Sequence, residues 1–175
     1  MVQNGLADGM VSGINDTYKN CMSSILHVIG SRKNQILAGI NLIIVNDEIK
    51  FFVDCSVNIE PDASFLAEIA VEAAQMSRLY TKEKPKIALL SFSSFGTHSD
   101  KINQKMAEAV RIIKSKNLDI EVDGEMAPDI ALDTLTRKRE YPSCSLTDNA
   151  NILVFPALAS ANIGYKLLVH LGGAN

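Results

Sequence analysis

Short apolar runs alternate, from residue 86 onward, with stretches in which apolar residues recur at helical spacing. Such alternation predicts strands separated by helices. The predicted strands cover residues 87–92, 119–122 and 152–155, and the predicted helices cover 100–116, 128–139 and 159–171. Strands that alternate with helices favour a mostly parallel sheet with both faces covered. The pattern therefore predicts an α/β domain, a three-layer α/β/α sandwich.

An antiparallel section is expected to join this sheet from the first half of the chain. Two β-branched and aromatic runs flank Asn46 and Asp47, which tolerate positive φ, so they predict a β-hairpin. The clearest helix covers residues 61–80, with Pro61 in its first turn and Asp62 at the positive end of its dipole. The sheet is therefore predicted to be mixed.

The first 30 residues carry weaker signals. Residues 9–13 combine glycines with a short apolar run and are predicted as a buried strand. Asp16 is the expected N-cap of a helix over residues 17–29, and Gly30 is the expected left-handed residue after it.

Composition excludes several classes of protein. The chain has 175 residues, of which 47% are hydrophobic and 21% charged, which suits one globular domain. A net charge of -3 without blocks of like charge argues against nucleic-acid and membrane-surface binding. Three widely spaced cysteines indicate reduced thiols, and no histidine has a metal ligand at the usual spacing. No leader or membrane span is apparent, so a cytoplasmic protein without a metal is predicted.

Three polar loops follow the predicted strands, and each precedes a helix: "SFSSFGTHSD", "DGEMAPD" and "PALASAN". In open α/β sheets, ligands bind at the carboxyl ends of the strands, and helix N-termini offer N–H groups to anions. For any single loop, ordinary helix capping is the simpler interpretation. Three such loops from one sheet favour an anion pocket.

Five segments, in this order, resemble the phosphate acetyl/butyryl transferase family. They are "GLADGMVSG", "FFVDCSVNIEPDASFLAEIA", "KIALLSFSSFGTHSDKINQKMAEAVRII", "DIEVDGEM" and "NILVFPALASANIGYKLL". They are most similar to the phosphotransacetylase-like C-terminal domain of bacterial NADP-dependent malic enzyme. The resemblance implies an isocitrate-dehydrogenase-like fold with two α/β domains and a cleft between them. It also implies transfer of an acetyl group between coenzyme A and phosphate, with cations and a carboxylate base.

The resemblance also predicts how the chain is divided. Residues 1–30 are expected to be a remnant of the family's first domain, and residues 31–175 its second domain, ending before the Ser-Arg-Gly motif and the catalytic aspartate. Ser23 stands where the family has an arginine, and Ala157 and Ala159 stand where it usually has Asn or Asp. These departures imply a chain that does not catalyse the reaction.

Side chains in the first loop are the leading ligand candidates. Ser91, Ser93 and Thr97 are expected to donate hydrogen bonds to an acyl or phosphate oxygen. The alternative, held equally, is that Ser94 or Ser99 caps the following helix and the other hydroxyls are solvated.

Candidates from the other two loops have stronger alternatives. Asp123 and Glu125 flank Gly124 and are candidates to orient a ligand hydroxyl or an arginine, although turn and cap chemistry also explains them. Asn162 is expected to contact ligand at the start of the last helix. Lys166 is expected either to reach a phosphate or to lie on a solvated face of the same helix.

The resemblance thus implies an acetyl-CoA-responsive regulatory domain of a NADP-dependent malic enzyme that is not itself catalytic. Acetyl-CoA or phosphate is the expected ligand, and no cofactor is expected to be bound by this domain. A homodimer and a preceding malic enzyme domain are the expected partners. The alternatives are an active phosphate acetyltransferase and a purely structural dimerisation domain.

Overall fold

A computed structural model describes residues 1–11, 13, 15–30 and 37–174, and divides the chain into two compact units, Met1–Leu37 and Ala38–Asn175. The first unit contains a short 3-10 helix, Val2–Asn4, and helix α1, Tyr18–Val28. Gly30 follows α1 with a φ of 73° and donates its N–H to the Ile25 carbonyl, as predicted.

Two predictions for this first unit were wrong. The N-cap of α1 is Thr17, whose hydroxyl accepts from the Asn20 N–H at 3.3 Å. Asp16 lies one residue earlier and binds the Thr17 N–H and the Asn20 side-chain amide instead. Residues 9–11 and 13 form no strand. Val11 is 98% exposed, because no neighbouring strand in the described part of this unit covers it.

The second unit is built on a five-stranded sheet with the order β1-β2-β5-β3-β4. Its strands are β1 (Ile40–Val45), β2 (Glu48–Val53), β3 (Lys86–Leu90), β4 (Glu121–Met126) and β5 (Ile152–Val154). Only the β1–β2 pair is antiparallel. It closes through Asn46 and Asp47, with φ of 50° and 63°, which confirms the predicted hairpin. The sheet is therefore mixed and mostly parallel, as expected.

The described residues of this unit form five helices: α2 (Ala63–Tyr80), α3 (Lys101–Ser115), α4 (Pro128–Leu132), α5 (Thr134–Glu140) and α6 (Leu158–Gly172). α2 and α3 pack together on one face, and α4 and α6 pack on the other. Alternate residues of β2 face opposite layers, so Phe52 joins the cluster with Ile130 and Ala161, whereas Phe51 is buried on the α2 side. The predicted three-layer α/β/α sandwich is confirmed.

Several element boundaries differ from the prediction. The predicted strand over 119–122 is β4, which begins later and continues through its polar residues to Met126. The predicted helix over 128–139 breaks at Asp133, whose backbone is extended and whose carboxylate caps α5 by accepting from Leu135 and Thr136 N–H groups. Pro61 precedes α2, and Asp62 is the N-cap. Phe92 lies beyond β3 and is 64% exposed, so it is not part of a buried strand.

The topology places the candidate loops together. β2, β5, β3 and β4 are parallel neighbours, so their carboxyl ends lie along one edge of the sheet. In the described part of the chain, no helix is both long and apolar enough to cross a membrane.

Candidate functional site

Four loops meet at the carboxyl edge of the parallel strands. They follow β2, β3, β4 and β5, and the last three were predicted from the sequence. The β2 loop was missed because the sequence does not show that β2 pairs in parallel with β5. The edge is the expected place for a ligand in an open α/β sheet.

The loop after β3 is held by Asn103, a buried side chain near the start of α3. Its amide nitrogen lies 2.6 Å from the Ser93 hydroxyl, 2.8 Å from the His98 carbonyl and 2.7 Å from an Asp100 carboxylate oxygen. Its amide oxygen accepts from the Ser91 hydroxyl. Ser91 and Ser93 are therefore buried against Asn103, where they shape the loop. Asn103 was missed because a polar helical residue is normally solvated.

The end of β4 fixes the tip of the same loop. Phe95 and Gly96 form a turn with φ of 50° and 81°. The buried residue Glu125 accepts from both, through its carbonyl at 2.8 Å from the Phe95 nitrogen and its carboxylate at 2.6 Å from the Gly96 nitrogen. Thr97 is exposed, and its hydroxyl oxygen accepts from the Ser94 N–H at 3.3 Å. Of the three predicted hydroxyls, the one on Thr97 is the most open to a ligand.

The N-termini of α3 and α6 differ in their capping. Asp100 caps α3 by accepting from the Ile102 and Asn103 N–H groups at 2.8 and 3.1 Å, so neither Ser94 nor Ser99 is the cap. α6 starts after Ala157, which offers no side-chain cap. An internal carboxylate therefore occupies the N-terminus of α3, whereas α6 has no side-chain cap and its first N–H, on Leu158, donates to the Ile59 carbonyl at 3.1 Å.

Lys105 is a cation beside this open helix end that sequence reasoning missed. Its ammonium donates to the Pro156 carbonyl at 2.7 Å and to the Pro61 carbonyl at 3.0 Å, joining the loops after β5 and β2. Burial lowers the pKa of Lys105, and the charges of Glu60 and Asp62 oppose that effect. A lysine within a helix carries no sequence signal that would separate it from a solvated one.

The two predicted residues of α6 have different surroundings. The side-chain amide of Asn162 donates to the Cys55 carbonyl at 3.1 Å, which ties the first turns of α6 to the β2 loop. Lys166 lies one turn further along the helix and is exposed. Burial and the nearby charge of Asp54 raise the pKa of Cys55 to about 12, so its thiol stays protonated at neutral pH.

Asp123 contacts residues away from this edge of the sheet. Its carboxylate binds Lys114, in the last turn of α3, at 2.9 Å and the Ser145 N–H at 2.6 Å. Burial alone raises its pKa, but the Ser145 N–H and the Lys114 ammonium outweigh burial and hold the pKa below its ordinary value. The structure therefore brings Ser91, Ser93, Thr97 and Asn162 to the carboxyl edge, and engages Asp123 in an ion pair at the other end of α3.

Comparison with known proteins adds the family. The family model described as phosphate acetyl/butaryl transferase matches residues 1–175. The chain belongs to this family. It is 35% identical to the phosphate acetyltransferase of Bacillus subtilis over 173 residues, 98% of this chain and 53% of that protein. It is also 35% identical to the NADP-dependent malic enzyme of Rhizobium meliloti over 174 residues, 99% of this chain and 23% of that enzyme.

A solved structure agrees with these sequence matches. The phosphotransacetylase from Streptococcus pyogenes is 37% identical, with a TM-score of 0.89, over 99% of this chain and 54% of that one. The chain thus spans about half the length of the Bacillus subtilis and Streptococcus pyogenes proteins, and 23% of the Rhizobium meliloti malic enzyme. The resemblance read from the sequence, which includes both groups of relatives, is confirmed.

Proposed function

We propose that this phosphotransacetylase-like domain binds acetyl-CoA or a phosphate-like anion at the carboxyl edge of its sheet, and regulates a NADP-dependent malic enzyme without catalysing acetyl transfer. Malic enzymes of Rhizobium meliloti and Escherichia coli each contain a homologous region that makes up 23% or 22% of their length. Those proteins therefore combine a domain of this kind with a larger remainder. A malic enzyme domain on the same polypeptide is the partner that we propose for it.

The open N-terminus of α6 is the observation that carries the binding proposal. The helix is 15 residues long and has no side-chain cap, and the Lys105 ammonium binds the carbonyl of Pro156 just before it. An anion near a helix N-terminus gains about 0.3–1 kcal/mol from the helix dipole, and each charge-assisted hydrogen bond adds about 1.5–3 kcal/mol. Asn162, in the first turns of α6, and Thr97, in the loop after β3, are further polar groups at this edge of the sheet. These groups support binding of modest affinity.

The carboxylates at this edge support the proposal that the domain does not catalyse transfer. The reaction needs a carboxylate that is free to accept the thiol proton of coenzyme A. Asp54 accepts from four backbone N–H groups, Asp100 caps α3, and Glu125 binds the Gly96 N–H. Each of these three carboxylates therefore serves the internal structure of the loops.

A pair of variants tests whether the α6 end binds the anion. Ala157→Asp places a negative charge at the N-cap, and Ala157→Asn provides a neutral cap of nearly the same shape. Titration calorimetry with acetyl-CoA and with acetyl phosphate should show wild-type binding, at least tenfold weaker binding by the Asp variant, and a smaller loss for the Asn variant. Wild-type protein that binds neither compound at millimolar concentration, or an Asp variant that binds as wild type does, would refute the proposed site.

Phosphate acetyltransferase activity is the second candidate function, because 98% of this chain aligns with the Bacillus subtilis phosphate acetyltransferase. Formation of acetyl-CoA from acetyl phosphate and coenzyme A separates it from the regulatory role.

The homodimer also remains a proposal. Ile163, Leu167 and Leu171 lie at i, i+4 and i+8 of α6 and are 60%, 53% and 83% exposed, so they form an apolar stripe on one side of the helix. A second copy of the chain is the partner that we propose for this stripe, since most soluble oligomers are symmetric. Light scattering at micromolar concentration should give the mass of a dimer, and a monomer mass would contradict it.

A further inference from the structure

Asp54 organises the loop that follows β2. The residue is 4% exposed. One carboxylate oxygen accepts from the Gly39 nitrogen at 3.1 Å, the Val57 nitrogen at 3.0 Å and the Ser56 nitrogen at 3.4 Å. The other accepts from the Asn58 nitrogen at 2.9 Å and also from the Asn58 side-chain amide. The loop is thus wrapped around a buried carboxylate.

The same loop holds the first turns of α6. The Asn162 amide donates to the Cys55 carbonyl at 3.1 Å, and the Leu158 N–H donates to the Ile59 carbonyl at 3.1 Å. Both acceptors are backbone groups whose direction depends on the loop conformation. Asp54 therefore shapes the loop from which these two carbonyls contact the start of α6.

The chemistry around Asp54 favours a geometric role. Among the ion pairs of the described residues, none includes Asp54, so its charge is stabilised by N–H groups rather than by a cation. Both oxygens accept hydrogen bonds from groups of the loop or of the segment before β1, so the carboxylate serves to hold the loop in shape. A Cβ at Gly39 would lie 2.5 Å from the Ser56 hydroxyl oxygen and 3.3 Å from an Asp54 carboxylate oxygen, so a larger residue there would displace one of these groups.

We infer that Asp54 is a positioning residue for ligand binding, acting through the β2 loop on Asn162 and the open end of α6. This inference rests on the proposed function, since it requires that an anion such as acetyl-CoA binds at that end. Asp54→Asn keeps the size of the side chain but replaces an acceptor oxygen with a donor that faces N–H groups. The loop should then shift, and Asn162 should lose its bond to Cys55.

The test compares Asp54→Asn with a control variant in the core, Ile113→Ala. Ile113 is 1% exposed and lies in the last turns of α3, so its truncation should destabilise the domain without changing the β2 loop. Calorimetric titration with acetyl-CoA should show at least tenfold weaker binding by Asp54→Asn and a change within twofold for Ile113→Ala. In NMR spectra, the side-chain amide signal of Asn162 should move only in Asp54→Asn. If Asp54→Asn does not fold, Asn58→Ala, which removes one donor, should weaken binding two- to fivefold.

A double variant tests the proposed connection itself. In an Asn162→Ala background, Asp54→Asn should weaken binding by less than threefold, because its main connection to the ligand is already lost. Wild-type affinity in Asp54→Asn, or in Asn58→Ala if that variant is used, would overturn the inference, and so would an unmoved Asn162 signal. Failure of the wild-type protein to bind acetyl-CoA would refute the proposed function instead. The Asn162 signal would still decide whether Asp54 positions that side chain.

Discussion

Arg137 offers the sharpest test of how the second unit is held together. The side chain is completely buried. Its guanidinium donates to the Ile130 carbonyl at 2.8 Å, the Ala131 carbonyl at 3.2 Å, the Asp148 carbonyl at 2.6 Å and the Thr134 hydroxyl at 3.1 Å. It therefore joins the end of α4, the start of α5 and the segment before β5. We predict that Arg137→Met strongly destabilises the domain.

The size of this destabilisation follows from the carbonyl groups that lose a hydrogen-bond donor when Arg137 is replaced. Ala131 keeps a bond from the Ala150 N–H, so the carbonyls of Ile130 and Asp148 are the two main losses. A buried acceptor left unsatisfied costs about 1–3 kcal/mol, which gives about 2–6 kcal/mol for two. Within the described residues, no carboxylate pairs with the Arg137 guanidinium and no group accepts from its Nε, so removing this buried charge returns part of the cost. The net expectation is a loss of about 3 kcal/mol.

Urea unfolding measures this loss directly, as a lower unfolding free energy with an unchanged m-value. For a chain of this length, the melting temperature should fall by roughly 6–12 °C. Arg139→Met is the matched control, since Arg139 lies in the same helix with its side chain 73% exposed and should change stability by less than about 0.5 kcal/mol. A loss below about 1 kcal/mol for Arg137→Met would refute the reasoning.

Three further predictions follow from single contacts. Gly124→Ala should lower the unfolding free energy by about 2–4 kcal/mol, because the residue has a φ of 140° and a Cβ would lie 2.6 Å from the Leu89 carbonyl oxygen. A variant that unfolds at the same temperature as the wild type would contradict this prediction. Lys114→Met should cost up to about 1 kcal/mol at pH 7, since it removes the cation beside Asp123, whose pKa lies below its ordinary value. That contribution is present above the unfolded pKa of Asp123 and is lost as the pH falls through its lower folded pKa, so the difference between the two proteins in urea unfolding should shrink in strong acid; a difference that stays constant with pH would point to another cause. Cys55 should resist iodoacetamide at pH 8 in the native protein but react in urea, and mass spectrometry would reveal early labelling if burial were not protecting it.

The general architecture was accessible from the sequence because local signals agreed with the fold. Asn46 and Asp47 tolerate the left-handed backbone that the hairpin turn requires. Leu66, Ile69 and Ala73 recur at helical spacing and are buried in α2. The alternation of strands and helices after residue 85 indicated both the parallel sheet and its two covering layers. These features depend on neighbours in the sequence, which pattern analysis can evaluate.

The remaining features depend on tertiary partners that the sequence pattern does not contain. The polar residues of β4 were predicted to form a loop. They continue the strand because Asp123 pairs with Lys114 and the Glu125 carboxylate accepts from the Gly96 N–H. The helix predicted over 128–139 breaks because the Asp133 side chain caps a new helix. Asn103, Lys105 and Asp54 looked like ordinary polar residues, and their roles appear only when distant loops meet at the carboxyl edge.

The measurement that tests the central claim most directly combines binding and turnover on the same preparation of wild-type protein. Calorimetry should detect acetyl-CoA binding, while a mixture of acetyl phosphate and coenzyme A, followed by thioester absorbance, should show no enzyme-dependent formation of acetyl-CoA. The account predicts this because the carboxylates Asp54, Asp100 and Glu125 are engaged within their loops. Turnover on the order of 10 per second, a typical enzyme rate, would contradict it and show that the domain is an acetyltransferase.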